Sequence, residues 1–295
     1  MNAGLAYVSL AFVAWGLFPL YFRWLGSVDA VEVSLHRSAW TLVFVCALLA
    51  ALRRWQWLGP MLRQPRALLP FVASAVLLFG NWLVYVWAVQ HGHVLDASLG
   101  YFVNPLVSVT LGVLVLRERL NRIQWLAVAI AGAGVLWMTL AIGRPPWIAL
   151  VLACSFGVYG LLRKTSTLGA VEGLALETLL LAPLVLPWLT WWALQPGSGF
   201  GGGEAATVAG LVLAGPLTAL PLMAFAAGAR RLPLATVGLV QYVSPTLQFL
   251  IGLWVFHEPF DGRRGVGFGL IWLALAVYSG DLLRRSRADR GDAHR

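Results

Sequence analysis

Ten apolar stretches, each about as long as a bilayer is thick, follow one another with hardly a break along this 295-residue chain. Crossing a hydrocarbon core of roughly 30 Å takes about 20 residues of helix. Inside lipid every backbone N–H and C=O must be satisfied within the segment itself, which for single apolar runs means α-helix. The spans read as Gly4–Trp24, Val33–Leu52, Ala67–Val89, Ala97–Leu116, Ile123–Ile142, Trp147–Leu162, Val171–Trp192, Ala206–Gly228, Ala235–Phe256 and Gly265–Leu283. The sixth is short and follows Pro145-Pro146 closely. The expected fold class is therefore all-α integral membrane, with ten transmembrane helices. Composition agrees: only 11% of residues are charged, against roughly a quarter in soluble domains.

The net charge of +9 is no sign of nucleic-acid binding, because the basic residues sit in short runs between apolar stretches. With the N-terminus inside, sixteen Arg and Lys fall in inside loops and the tail and four, Arg23, Arg144, Arg263 and Arg264, in outside loops, with Arg37 inside a span. Positive loops mark the cytoplasmic side, so both termini are expected there, in a multi-pass protein. The first stretch lacks a basic leader and is read as a retained helix. The tail from Arg284 is expected to be disordered. Cys46 and Cys154 lie inside spans and are expected to be buried thiols rather than a disulfide.

Self-comparison divides the chain in two. Leu99-Gly-Tyr-Phe-Val-Asn-Pro-Leu realigns with Leu239-Val-Gln-Tyr-Val-Ser-Pro-Thr, so that Pro105 matches Pro245, Gly112 matches Gly252 and Glu118 matches Glu258 at one offset of 140 residues. Trp15-Gly16 matches Phe156-Gly157 at 141. Residues 1–143 and 144–283 are thus expected to be two five-helix repeats, followed by a cytoplasmic tail, 284–295. Five is odd, so the second repeat enters the membrane in the opposite sense. Inverted repeats are typical of secondary transporters, whose substrate site lies between the repeats near the midplane.

Each repeated proline is expected near the middle of its span, where it removes a backbone donor and kinks the helix. Such a break is tolerated only away from lipid. Pro105 and Pro245 are therefore read as helix kinks bordering a cavity, with Tyr101, Asn104, Gln241, Tyr242 and Ser244 near the substrate; a static packing kink is the plainer alternative. Asn81 and Trp82 in the third span are further candidate substrate contacts, Asn81 having a helix–helix hydrogen bond as its alternative. Gln248 faces the same choice.

These segments also carry a family resemblance. Gly80-Asn-Trp-Leu-Val-Tyr-Val-Trp-Ala-Val, Asp96-Ala-Ser-Leu-Gly-Tyr-Phe-Val-Asn-Pro-Leu, Phe156-Gly-Val-Tyr-Gly-Leu-Leu-Arg-Lys and Gln241-Tyr-Val-Ser-Pro-Thr-Leu together resemble the RarD branch of the EamA family, in the drug/metabolite transporter superfamily. The resemblance spans nearly the whole chain. It implies a ten-helix permease of the bacterial cytoplasmic (inner) membrane, usually an exporter of a small organic metabolite or drug. Ser244 stands where a glycine often precedes that proline, and Asp96 where glutamate is common.

Ionisable groups inside a membrane are costly and are functional candidates by default. His36 and Arg37 lie about one turn into the second span, and Glu177 occupies the matching position in the seventh. At about 1.5 Å per residue their depths differ by on the order of 14 Å, so each is read as guarding one mouth of the pathway rather than pairing directly. Their roles are gating or coupling, with protons as the coupling ion if His36 or Glu177 titrates; for Arg37 the alternative is snorkelling, for Glu177 a pair with Arg163 or Lys164. Glu118 and Glu258 are read as interfacial charge pairs.

Other signals fall away. His257-Glu258 begins an H-E-x-x-H motif, but Asp261 stands at the second histidine. His91, His93 and Asp96 read as a solvated loop, Gly197–Gly203 as a flexible one, and Gly265, Gly267 and Gly269 as close helix packing. No metal or cofactor is expected, and no catalytic cluster appears, so the chain is not read as an enzyme. The competing classes are a membrane-embedded enzyme, which needs acids or ligands gathered at one depth, and a sensor or channel, which needs polar rings along several helices.

Overall fold

A computed structural model describes residues 3–117, 120–164, 166–229, 231–232 and 240–292. The described residues form helices α1 (Ala3–Trp24), α2 (Ala30–Ala51), α3 (Leu58–Leu62), α4 (Pro65–Gln90), α5 (Val94–Leu116), α6 (Arg122–Ile142), α7 (Trp147–Lys164), α8 (Ala170–Ala193), α9 (Ala205–Ala229), α10 (Val243–Trp254) and α11 (Gly262–Asp292), and no strand. Seven of them, α1, α2, α4, α5, α6, α8 and α9, are long and apolar enough to cross a membrane, while α7 and α10 are shorter apolar helices.

Local chemistry sets the ends. Asp29 accepts the Val31 N–H at 2.7 Å to start α2. Asn121 and Gln124 form a reciprocal capping box at the start of α6, which Gly143 ends at φ +78°, a backbone state glycine adopts freely. Pro65 begins α4, where its missing N–H costs nothing.

The helices pack mainly across the two sequence halves. α6 lies on α11, α2 on α8 and α5 on α10. The contact of α5 with α7 is matched by that of α1 with α10, α4 with α7 by α1 with α9, and α2 with α9 by α4 with α8. Exchanging α1, α2, α4, α5 and α6 for α7–α11 leaves these partnerships unchanged. Contacts between individual residues follow the same exchange. A Cβ added at Gly16 would stand 2.7 Å from Leu247 Cδ1, and one at Gly157 would stand 2.9 Å from Val107 Cγ1; Val107 and Leu247 are themselves related by the 140-residue offset. Arg117 and His257, related in the same way, are both left-handed, at φ 56° and 52°.

Several expectations need correction. The sequence predicts the ninth span as one kinked helix over Ala235–Phe256; instead residues 241–242 form a turn and α10 begins at Val243, while 233–239 lie outside the described residues. Pro245 therefore sits in the first turn of α10, where the N–H groups lack intrahelical partners anyway. Pro105 does lie within a continuous helix, where its ring removes the donor that the Tyr101 carbonyl would otherwise meet. The tail, expected to be disordered, continues α11 as far as Asp292; it is rich in arginine, a good helix former, and lacks proline, so the helical ladder simply runs on. Cys46 and Cys154 are free, but Cys46 is only half-buried and Cys154 is exposed.

Candidate functional site

Where the two halves meet, α1, α4, α5, α7, α9 and α10 enclose a cavity of about 120 Å³. The helices other than α10 contribute from their inner turns, α10 from its first two. Phe12, Trp15 and Phe18 come from α1, Trp82 and Tyr85 from α4, Tyr101 and Asn104 from α5, Phe156 and Tyr159 from α7. Thr218 of α9 and the run Gln241, Ser244, Pro245 and Gln248 complete the wall. The lining is thus aromatic with uncharged polar groups at separate points. Both repeat-related pairs, Trp15 with Phe156 and Asn104 with Ser244, face it.

Gln248 is the most telling polar group. It is 2% exposed, and its amide N–H₂ donates to the Trp15 carbonyl at 3.2 Å and to Ser244 Oγ at 3.3 Å. Among the described residues its carbonyl oxygen has no hydrogen-bond partner, and neither does Asn104 Oδ1. Buried polar atoms are ordinarily paired, and these two acceptors belong to residues that line the cavity.

The sequence-derived site residues separate into three groups. Trp82, Tyr101, Asn104, Gln241 and Ser244 line the cavity, as does Pro245. Asn81 does not: its side-chain N–H₂ donates to the Leu152 carbonyl at 3.0 Å and Ser155 Oγ at 2.8 Å, tying α4 to α7. Tyr242 also misses the cavity and packs into the buried cluster around Leu99, Phe249 and Phe268. Asn81 is one residue, about 100° of helix, away from Trp82, and Tyr242 one residue from Gln241; each points elsewhere for that reason.

Among the ionisable residues, Arg37 is 4% exposed and lays its guanidinium over the Trp82 ring, 4.6 Å from the centroid. Its Nε has no partner among the described residues. Glu177 accepts the Ser74 hydroxyl at 2.7 Å and lies 3.8 Å from Arg163. Arg37 and Glu177 do not form a salt bridge, yet both border one small void of about 20 Å³ between α2, α4 and α8.

His36 is buried with neither ring nitrogen hydrogen-bonded among the described residues, under the Phe200 ring at 4.6 Å between centroids. Phe200 belongs to the segment expected to be a flexible loop. It is held instead by Glu32, a buried residue that sequence reasoning missed. The Glu32 carboxylate accepts the Trp192 indole N–H at 3.1 Å, the Ser198 hydroxyl at 2.8 Å and the N–H groups of Gly199 and Phe200 at 3.0 and 3.1 Å. The only advance signal was an acid in the first turn of an otherwise apolar helix.

Glu258, expected to form a charge pair, caps a helix instead. Its carboxylate accepts the backbone N–H of Val94 and, at 2.9 Å, that of Leu95, the first residues of α5. Its counterpart Glu118 lies outside the described residues. His91 and His93 both stack on Trp87, and among the described residues no group of acids, histidines and cysteines is placed to hold a metal.

Residues 2–140 match the EamA-like transporter family. Over nearly full length the chain is 44% identical to an uncharacterized transporter, YojE, of Bacillus subtilis, covering 97% of each chain. It is 46% identical to an uncharacterized transporter of Pseudomonas aeruginosa, over 94% of this chain and 93% of that one. Protein RarD of Streptomyces exfoliatus is 44% identical, with 98% of this chain and 92% of that one aligned. The chain belongs to the RarD branch of the EamA-like transporters. A crystal structure with 20% identity matches this fold with a TM-score of 0.60, over 93% of this chain and 96% of that chain. Membership in this branch makes the protein a multi-pass membrane transporter whose surroundings are the lipid bilayer and whose cargo is a small molecule.

Proposed function

We propose that this RarD-branch protein is a secondary-active exporter of a small organic metabolite or drug, working by alternating access between two inverted repeats, 1–143 and 144–283, in the bacterial cytoplasmic membrane. The observation that carries the reading is the cavity itself: repeat-related residues from both halves converge on one aromatic chamber at mid-height. The exchange symmetry of the helix partnerships supports it, since two equivalent packings let the halves trade inward and outward states at little cost. The arginine distribution supports cytoplasmic termini, putting the loops 25–29, 91–93, 143–146, 194–204 and 255–261 outside.

A cavity of about 120 Å³, at roughly 10–15 Å³ of such volume for each water-sized guest, suits a solute of about ten non-hydrogen atoms. Eight aromatic rings favour a planar or apolar body. The free oxygens of Asn104 and Gln248 favour a solute that donates hydrogen bonds. Uptake and efflux by proteoliposomes, with solutes chosen by metabolite profiling of cells lacking or overproducing the protein, test this. Flux should be saturable and protein-dependent. Gln248→Leu should raise the apparent KM about tenfold, the loss of one hydrogen bond worth about 1.4 kcal/mol, with the maximal rate nearly unchanged. No protein-dependent flux at any imposed gradient removes the reading; flux indifferent to a pH gradient removes protons as the coupling ion.

A further inference from the structure

The outer end of the cavity is closed by two layers. Directly above the chamber lies a fully buried seal that includes Phe22, Tyr85, Val86 and Val89. Above the seal, the segment 255–258 ties three cavity helices together. Arg23, at the end of α1, donates to the Val255 carbonyl at 2.6 Å and lies over the Phe256 ring at 4.8 Å. Gly252, near the end of α10, lies so close to α5 that an added Cβ would be 3.0 Å from the Leu95 side chain. Glu258, 6% exposed, caps α5.

The chain reaches that cap through an unfavourable conformation. His257 is left-handed at φ 52°, uncommon for a residue with a side chain, and such strain persists only where surrounding contacts impose it. Two contacts of Glu258 accompany it here: its backbone N–H donates to the Gly252 carbonyl at 3.0 Å, closing the end of α10, and its carboxylate caps the α5 N-terminus.

We propose that Glu258 is the latch of the outer gate: capped onto α5 it holds α1, α5 and α10 together over the seal, and releasing α5 opens the chamber outward. This rests on the alternating-access reading, within which it assigns a positioning residue for the outward step. The latch is also pH-sensitive. Burial raises the Glu258 carboxyl to about 7, against the opposing effect of the Leu95 and Val94 N–H groups. Of the charges facing it, Asp96 on α5 raises the value further and Arg264 on α11 lowers it; Asp96 also holds His93 at 3.5 Å and Arg264 at 3.9 Å. Arg23 of α1 engages the backbone of Val255 and the ring of Phe256.

The sign follows from linkage. In the closed state the carboxyl titrates near 7, whereas once the gate opens and water reaches it the value falls toward that of a free glutamate, about 4.3. The closed state therefore binds the proton more tightly. Its extra stability is fully present below about 4.3 and is lost as pH rises to 7, the opening constant gaining about tenfold per pH unit across that window.

Pulsed electron–electron distance measurements test this without a substrate. Spin labels at His91→Cys and Glu204→Cys, both exposed positions in separate outer loops, are placed in the full chain with Cys46→Ser and Cys154→Ser, in nanodiscs. The parent should show one short distance at pH 5 and a growing longer population by pH 8. Glu258→Gln, neutral at every pH, should stay short at both. Glu258→Ala, which orphans the α5 N–H groups, should show the longer population at both, and Glu258→Asp should restore the pH response. A parent unresponsive between pH 5 and 8, or a Glu258→Gln variant responding like the parent, overturns the latch. So does a Glu258→Ala variant that elutes as a folded protein with the parent's distances. Because no flux is measured, the failure of the latch and the failure of the transport reading are told apart.

Discussion

A carboxylate survives inside a membrane protein only if donors surround it, and Glu32 meets that condition with four of them from the segment 192–200. Removing it leaves those donors facing a buried gap. Glu32→Ala should cost about 2–3 kcal/mol and free the 195–203 segment for proteolytic cleavage; Glu32→Gln, which keeps a carbonyl acceptor, should remain much more resistant. Equal cleavage of the two variants contradicts this account of the segment. At this scale the sequence was informative about residue type and weak about direction. Asn81 and Asn104 looked alike as polar residues in apolar spans, yet one ties α4 to α7 and the other faces the chamber. A sequence gives no helix rotation finer than its apolar periodicity, and helices that are apolar all round carry almost none.

Among the elements, two prolines at equivalent sequence positions do different things. Pro105 interrupts the ladder of a continuous α5, while Pro245 lies in the first turn of α10 after a break at 241–242. The repeat was legible because it sits in the residue pattern. The break was not, because an X-Pro signal bends or ends a helix according to which neighbours satisfy the freed backbone groups. Close approach of elements is better encoded, in the matched glycines. Gly157→Leu should force α7 away from Val107 of α5 and destabilise the protein by about 1–3 kcal/mol, with Gly16→Leu acting alike against Leu247. A thermal-shift assay in detergent checks both; a variant as stable as the parent would mean that the helices are not pressed together there.

For the whole molecule, the all-helical membrane class was readable from the chain, because lipid imposes length and composition directly, and the transporter family from the motifs; of the ten expected spans, seven appear as helices long and apolar enough to cross a membrane, and the ninth is interrupted at 241–242. The loop 197–203 and the tail were misjudged as unstructured, since their order comes from a distant carboxylate in one case and from a preceding helix in the other. The chamber depends on both halves at once and has no local signature beyond the paired motifs that face it. The central claim is that this chamber opens alternately to the two sides. The direct measurement is thiol labelling of Ser244→Cys, a cavity-lining position, in a Cys46→Ser, Cys154→Ser background, using a membrane-impermeant reagent applied separately to right-side-out and inside-out vesicles. Labelling from both sides, with opposite changes in the two rates when transported solute is added, is the predicted result. Labelling from one side alone under every condition would contradict it.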